Sequence, residues 1–181
     1  VPRLAETQVE VFQYIVDLST ASRFILCPTY YSFDPVLERV FGKMPNDYWD
    51  VLSKRLDPAA DIFWTGPEVC STEYPESLLI EVKERLGRKP FIWDNYPVND
   101  SKTKSQILQL RSFESRPYQM VAHTAGHAVN PMKQGWLSQI PLKTLCDVFG
   151  LKDRYNSEQA LKIALRELCG NELGKTLGDD V

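Results

Sequence analysis

The sequence predicts an α/β fold assembled from repeating parallel β/α units. Three observations carry that expectation. Short apolar runs begin near residues 24, 61, 90 and 126, each bounded by turn-forming residues. Stretches with helical periodicity separate them, as parallel strands require a crossover between neighbours. Each run also ends in aromatic, amide or carboxylate side chains, at the strand end where α/β folds gather ligands. Four such units amount to half of an eight-stranded barrel.

The elements follow in order. Leu4, Val11, Phe12, Ile15, Val16 and Leu18 form a helical stripe ended by Ser19-Thr20. A first strand covers 24–30. Residues 35–56 carry helical patterning in two pieces, broken at Gly42-Lys43-Met44-Pro45, with Asn46 placed to cap the second. A second strand covers 61–66. Pro75 suits the first turn of the next helix, Leu78, Leu79, Val82 and Leu86 face inward, and Gly87 supplies a left-handed stop. The third strand covers 90–94, and the polar stretch 95–105 is long enough to be a binding loop. Pro117 opens a short helix through Ala125, and a fourth strand spans 126–130 before Pro131 stops it. Helical patterning returns over Pro141–Phe149. A last helix is capped by Asn156 with Gln159 three residues on, and it stops at Gly170. Residues 1–170 thus read as one domain and 171–181 as a frayed tail.

Composition narrows the class. The chain has 181 residues, 43% of them hydrophobic and 25% charged, enough to bury a full core. A net charge of -3 gives no electrostatic reason to expect nucleic acid. The cluster Lys83, Arg85, Arg88 and Lys89 reads as a solvated helix face. No run of 18 apolar residues suggests a transmembrane helix. Cys27, Cys70, Cys146 and Cys169 have neither disulfide nor metal spacing and are expected as packed thiols, which points to a reducing, cytoplasmic setting. His123 and His127 lie four apart but lack the glutamate of a metalloprotease motif, so a structural role is expected and no metal or cofactor is invoked. The abrupt opening Val1-Pro2-Arg3 is expected to begin inside a domain.

The polar strand ends define the chemistry. Tryptophan beside amide and carboxylate groups suits a sugar, whose ring face packs on aromatic surface while its hydroxyls need directed donors and acceptors. Tyr31, Trp64, Trp93, Asn95, Asp100 and Asn130 supply those groups. Taken singly, each is equally a core aromatic or a turn former; recurrence at four strand ends favours the ligand reading. Asp94 lies within the strand pattern and is expected to be buried and hydrogen-bonded. Asp100 is the carboxylate expected to meet a ligand. Cys27 has no histidine on an adjacent strand end to activate it.

Four motifs carry a resemblance along most of the chain: Cys27-Pro28-Thr29-x-Tyr31; Trp64-Thr65-Gly66-Pro67; Ile92-Trp93-Asp94-Asn95 followed by Asn99-Asp100; and Asn130-Pro131. In these the sequence resembles the second half of the TIM (β/α)8 barrel of the glycoside hydrolase family 84 β-N-acetylglucosaminidases, the family of the protein O-GlcNAcases and the bacterial enzymes once labelled hyaluronidases. The resemblance implies a retaining exo-enzyme that removes terminal β-linked N-acetylglucosamine. Its acetamido oxygen attacks the anomeric carbon to give an oxazoline, one aspartate orients the amide, and a second acts as general acid and then base, a departure from the two-carboxylate scheme. By the same resemblance Tyr31 assists near the reacting centre, and Trp93 and Asn95 shape the acetamido pocket that Thr65 and Val69 line. Asp100 would bind the 4- and 6-hydroxyls, and Asn130 a further ring hydroxyl.

The family's adjacent Asp-Asp pair, expected just before the helix over 4–18, is missing; Asp179-Asp180 lies in the tail and does not match. General acid-base assistance is typically worth about 10²–10⁴-fold, so the chain alone is expected to be a poor hydrolase that holds the sugar-recognition half of a site. Its expected partners are an N-acetylglucosamine-containing substrate and a complementary upstream half-barrel, or a second copy meeting its open sheet edges. Two other readings stay open: a non-catalytic N-acetylglucosamine-binding α/β domain, and a structural domain whose polar residues merely cap strands.

Overall fold

A computed structural model describes residues 3–179. The element order is α1 (Leu4–Leu18), β1 (Ile25–Leu26), α2 (Val36–Phe41), α3 (Tyr48–Arg55), β2 (Asp61–Trp64), α4 (Glu76–Leu86), β3 (Phe91–Asp94), β4 (Gly126–Val129), α5 (Gly135–Leu151) and α6 (Ser157–Asp179). Short 3-10 turns cover Lys104–Gln106, Tyr118–Ala122 and Lys152–Arg154. The strands form one sheet in the order β1-β2-β3-β4, with β1 parallel to β2 and β2 parallel to β3. Sequential order in a parallel sheet is the connectivity of a barrel wall. The expected α/β class with parallel β/α units is what the chain adopts.

Two compact units divide the chain: Val1–Asp94 with Met120–Ala128, and Asn95–Gln119 with Val129–Val181. In the first unit, period-two alternation sorts the strands into two faces. Ile62, Trp64, Ile92 and Asp94 are fully buried, and Leu52, Leu79, Val82 and Leu86 give α3 and α4 matching buried stripes. The other face carries half-buried Phe63, Phe91 and Trp93, whose rings meet edge-to-face at 5.0–5.3 Å. Gly126 is required beside them, since a Cβ there would come within 2.4 Å of the Phe91 ring.

Arg88 departs from the solvated cluster expected of it. Its guanidinium donates to the carbonyls of Leu56, Asp57 and Ala60 at 2.6–3.1 Å, satisfying the end of α3 and the turn into β2. Lys83, Arg85 and Lys89 are exposed as expected.

In the second unit Leu110, Met132, Ile140, Ala164 and Leu165 form one cluster, joined by Leu137, Leu161, Leu168 and Leu177. A second gathers Phe113, Leu145 and Val148 with Tyr96, Tyr118 and Tyr155 around them.

Several boundaries differ from expectation. Asn46 does not cap α3; Asp47 holds that position without a side-chain bond. Pro75 sits at the cap of α4 in extended conformation, one residue before the first turn. The segment after Pro117 is a 3-10 turn, not an α-helix through Ala125. Helix α5 starts at Gly135 and carries Pro141 inside it. Packing of Leu137 and Ile140 in the cluster, with Ser138 Oγ donating to the Gln134 carbonyl at 3.1 Å, holds the turn ahead of the proline. Asn156 caps α6 by accepting from Gln159 N at 2.8 Å. Gly170 breaks that helix with φ 77 and ψ 173, but residues 171–179 continue as helix instead of fraying. Leu177 joins the cluster and Gly174 lets the segment approach the Leu165 carbonyl, where a Cβ would sit at 2.9 Å. Asp180 and Val181, the rest of the expected tail, lie outside the described residues, as do Val1 and Pro2 of the abrupt opening.

Candidate functional site

In the first unit, the loops after β1 and β2 are tied into one hydrogen-bonded body. Thr65, the residue after β2, donates its backbone N–H to the Tyr31 carbonyl at 2.8 Å, and its hydroxyl donates to the Glu68 carbonyl at 3.0 Å. Ser32 Oγ donates to the Gly66 carbonyl at 2.9 Å. Asp34 accepts from Val36 N at 2.9 Å and from Val69 N at 3.2 Å. Tyr74 closes the loop from below by donating to the Thr65 carbonyl at 2.9 Å. Tyr31, Thr65 and Val69, three of the expected site residues, are thereby brought together.

Gly66 of the Trp-Thr-Gly-Pro motif is indispensable to this body. Its φ is +114, and a Cβ would lie 2.0 Å from Ser71 Oγ. That hydroxyl instead accepts from Glu68 N at 3.1 Å and donates to the Glu68 carbonyl at 2.9 Å. Only glycine allows both the backbone and the contact.

The loop leading to Tyr31 hangs on the buried Tyr48 of α3. The Tyr48 hydroxyl accepts from Thr29 N at 2.9 Å and donates to Gln8 Oε1 at 2.5 Å, while Gln8 Nε2 donates to Thr29 Oγ1 at 3.1 Å. Burial pushes the Tyr48 phenol up to about 12, against smaller lowering effects from its hydrogen bonds. Burial also raises the Tyr31 phenol, with Cys27, Cys70 and Asp34 adding to the effect. Both rings are neutral donors near neutral pH.

Trp93 of β3 stands beside Phe63 on the half-buried aromatic face, its ring edge-to-face at 5.0 Å. Trp64 takes the opposite face, fully buried against Phe33 and Tyr74. It belongs to the core, and its expected place among the sugar-facing aromatics is withdrawn. Asp94 is fully buried as expected, and its carboxylate meets His127 Nε2 at 3.1 Å. His123 pairs separately with Glu76 at 2.8 Å. Among the described residues no group of three or more His, Cys, Asp or Glu could hold a metal ion.

The expectation of packed thiols is corrected for Cys27 and Cys146, which are exposed, while Cys70 is half-buried and Cys169 is half-buried and packed against the cluster around Leu165. Cys27 presents surface, yet the atoms packed around its sulfur desolvate the thiolate and raise the thiol pKa, which disfavours a nucleophilic role.

In the second unit, Asn95 and Asn130 are the residues that follow the last positions of β3 and β4. Asn130 Nδ2 donates to Asn95 Oδ1 at 3.0 Å, so these two expected site residues meet directly. Asp100 is exposed on the loop beyond. Its neighbour Asn99 is buried, with 1% of its surface accessible. Asn99 Nδ2 donates to the Ile107 carbonyl at 3.2 Å and to Gln134 Oε1 at 2.9 Å, and its Oδ1 accepts from Lys133 N at 3.0 Å. On the other side of Asp100, Ser101 Oγ accepts from Lys104 N at 3.1 Å and the Ser101 carbonyl accepts from Ser105 N at 2.9 Å. The exposed carboxylate is held between two anchored residues.

Sequence reasoning missed Gln8, Asp34 and Tyr48, and it named Asn99 only within a motif and His127 only as structural, without their partners. Each acts through a partner distant in sequence, and neither helical nor strand periodicity marks such a residue.

Comparison with known proteins places the chain in a family. The β-N-acetylglucosaminidase family model matches residues 3–178. The chain is 29% identical over 136 residues to the protein O-GlcNAcases of Mus musculus and of Rattus norvegicus, which covers 75% of this chain and 14% of each relative. A mutant form of an O-GlcNAc hydrolase from Thermobaculum terrenum superposes with a TM-score of 0.81 at 31% identity, over 96% of this chain and 36% of that one. The chain therefore spans about a third of its structural relative and a much smaller share of the curated relatives. With almost every residue matched by the family model and the parallel sheet shared with a solved relative, the chain belongs to the β-N-acetylglucosaminidase family.

Proposed function

We propose that this chain carries the sugar-recognition residues of a retaining exo-β-N-acetylglucosaminidase and lacks the carboxylates that do the chemistry. The observation that carries the reading is the family match over residues 3–178, within which Thr65, Asn95 and Asn130 each follow directly on a strand's last residue. In the first unit Trp93, Thr65 and Val69 are assigned to the acetamido group and Tyr31 to a hydrogen bond near the reacting centre; in the second unit Asn95 is assigned to shaping the acetamido pocket. Asp100 binds the 4- and 6-hydroxyls, and Asn130 a further one. The bond between Asn130 and Asn95 supports this, because it fixes two amides in place before a ligand arrives and lowers the ordering cost of binding.

The only Asp-Asp in the sequence, Asp179-Asp180, does not match the family's pair, so the amide-orienting group and the acid-base group of the substrate-assisted reaction are assigned to an upstream β/α half. Activity resides in a protein that also supplies an upstream β/α half. The partner reading is supported by β1 and β4 standing at the two ends of the strand order and by α1, where Val11, Tyr14, Ile15 and Leu18 are each more than half exposed at helical spacing. Such a stripe calls for a neighbouring helix or a second copy.

The test is hydrolysis of a chromogenic β-N-acetylglucosaminide by the purified chain, alone and after co-expression with an upstream half-barrel bearing the Asp-Asp pair. Turnover is expected only with both halves. Turnover by the chain alone at the rate of a whole enzyme would refute the division of roles.

A further inference from the structure

We infer that Asn99 is a positioning residue, one that sets the Asp100 carboxylate in register with Asn130 for recognition of the sugar hydroxyls; this rests on the function proposed above. Asn99 is a buried neutral side chain whose amide makes three hydrogen bonds within the second unit. At 1% exposure its amide gives two hydrogen bonds and accepts one, all to residues of the loop ending at Ile107 or of the segment after Asn130. Any ordinary turn residue would leave such groups to water. Here the side chain next to Asp100 is instead bonded to Lys133 N and to Gln134 Oε1, three and four residues beyond Asn130.

That segment is itself immobilised. Met132 N donates to Ser138 Oγ at 3.0 Å and Ser138 Oγ donates to the Gln134 carbonyl at 3.1 Å, which fastens 132–134 to the first turn of α5. Asn130 is fixed from its other side by Asn95. Asn99 thus acts as the link through which an exposed loop carboxylate inherits the rigidity of α5. A carboxylate gains binding free energy only when it arrives already aimed, because the cost of ordering a free loop is subtracted from the hydrogen bonds it makes.

The experiment titrates the purified chain with N-acetylglucosamine and with its 4,6-dideoxy analogue, comparing wild type, Asn99→Ala, Asp100→Ala and the double variant. Asn99→Ala is expected to weaken N-acetylglucosamine by about tenfold, equivalent to ~1.4 kcal/mol. It is expected to leave affinity for the analogue unchanged, because that ligand has no hydroxyl for Asp100 to hold, and to add nothing in the Asp100→Ala background. A residue that merely stabilises the fold would weaken both ligands alike and would add to Asp100→Ala; either result overturns the inference. So does an Asn99→Ala affinity within about twofold of wild type while Asp100→Ala loses binding, an outcome that leaves the proposed function standing. Loss of nothing in Asp100→Ala, or no sugar binding by wild type, sinks the proposed function and this inference together. Should Asn99→Ala fail to fold, Gln134→Ala removes one of the three partners from an exposed position. A roughly threefold loss specific to N-acetylglucosamine then supports the role, and unchanged affinity refutes it.

Discussion

Replacing Tyr48 with phenylalanine tests how the loop carrying Tyr31 is held. The ring stays, so its edge-to-face contacts with Tyr30 at 5.0 Å and Trp49 at 5.4 Å are retained. Only the hydroxyl is lost. Thr29 N–H then has no acceptor in a part-buried site, which costs about 1–3 kcal/mol, and the bond to Gln8 removes about another 1 kcal/mol. At pH 7, Tyr48→Phe should therefore be less stable than wild type by roughly 2–4 kcal/mol. The pH dependence is a sharper signature. A phenol whose folded pKa is raised from 10.0 to about 12 stabilises the fold fully below its unfolded value and loses that contribution as pH rises from 10 to 12. At pH 11 wild type should have lost about 1.4 kcal/mol through this group, a loss that phenylalanine cannot suffer. Urea unfolding at both pH values measures the difference between the proteins, so the other tyrosines cancel. The gap should narrow by about 1.4 kcal/mol from pH 7 to pH 11. A gap that stays constant, or a pH 7 difference below about 0.5 kcal/mol, would refute the reasoning.

Other outcomes follow from the same geometry. Gly66→Ala should destabilise by about 1–3 kcal/mol for its positive φ and about 1–3 kcal/mol more for the Cβ forced against Ser71. Gly42→Ala, at φ 88 with open space around it, should suffer the backbone part alone; equal losses at the two sites in thermal unfolding would contradict the steric account. Asp94→Ala should cost about 1–3 kcal/mol, because it strips the half-buried His127 Nε2 of its hydrogen-bond partner. A change of less than about 1 kcal/mol in denaturant unfolding would show that the pair is not held as described. Reversing the apolar stripe of α1 with Val11→Glu and Ile15→Glu should leave the chain folded by circular dichroism, since both are exposed, but should abolish recovery of hydrolysis with an upstream half; unimpaired recovery would place the partner contact elsewhere.

Much of the architecture could be read in advance because it depends on local pattern. The stripe from Leu4 to Leu18 gives α1 at those bounds, Gly87 ends α4 with φ 63, and the four apolar runs become β1 to β4. What escaped depends on partners far away in sequence. Pro141 should start a helix by local rules, but Leu137 and Ile140 meet α6 in one cluster and carry the helix through it. The stretch after Gly170 reads as polar and frayed, yet Leu177 has the same cluster to bury into and Gly174 allows the close approach. Arg88 looks like one more surface cation until the carbonyls at the end of α3 are placed around it.

The candidate site divides along the same line. Tyr31, Asn95 and Asn130 could be singled out because polar residues ending apolar runs stand out, whereas Thr65 was named through the family resemblance. Trp64 was misjudged because both tryptophans lie in strands, and only register separates the buried face from the half-buried one. Asn99 and Tyr48 were invisible as functional residues, since their importance lies in what they hold still and not in what they could touch.

Titrating the chain with N-acetylglucosamine while following the backbone amide signals of Asn95, Asp100 and Asn130 and the side-chain amide signals of the two asparagines tests the central claim most directly. Saturable shifts confined to these residues and to those around Tyr31, Thr65 and Trp93, lost in Asp100→Ala, are the predicted result. Shifts that do not saturate, or that fall on residues remote from the strand ends, would contradict it.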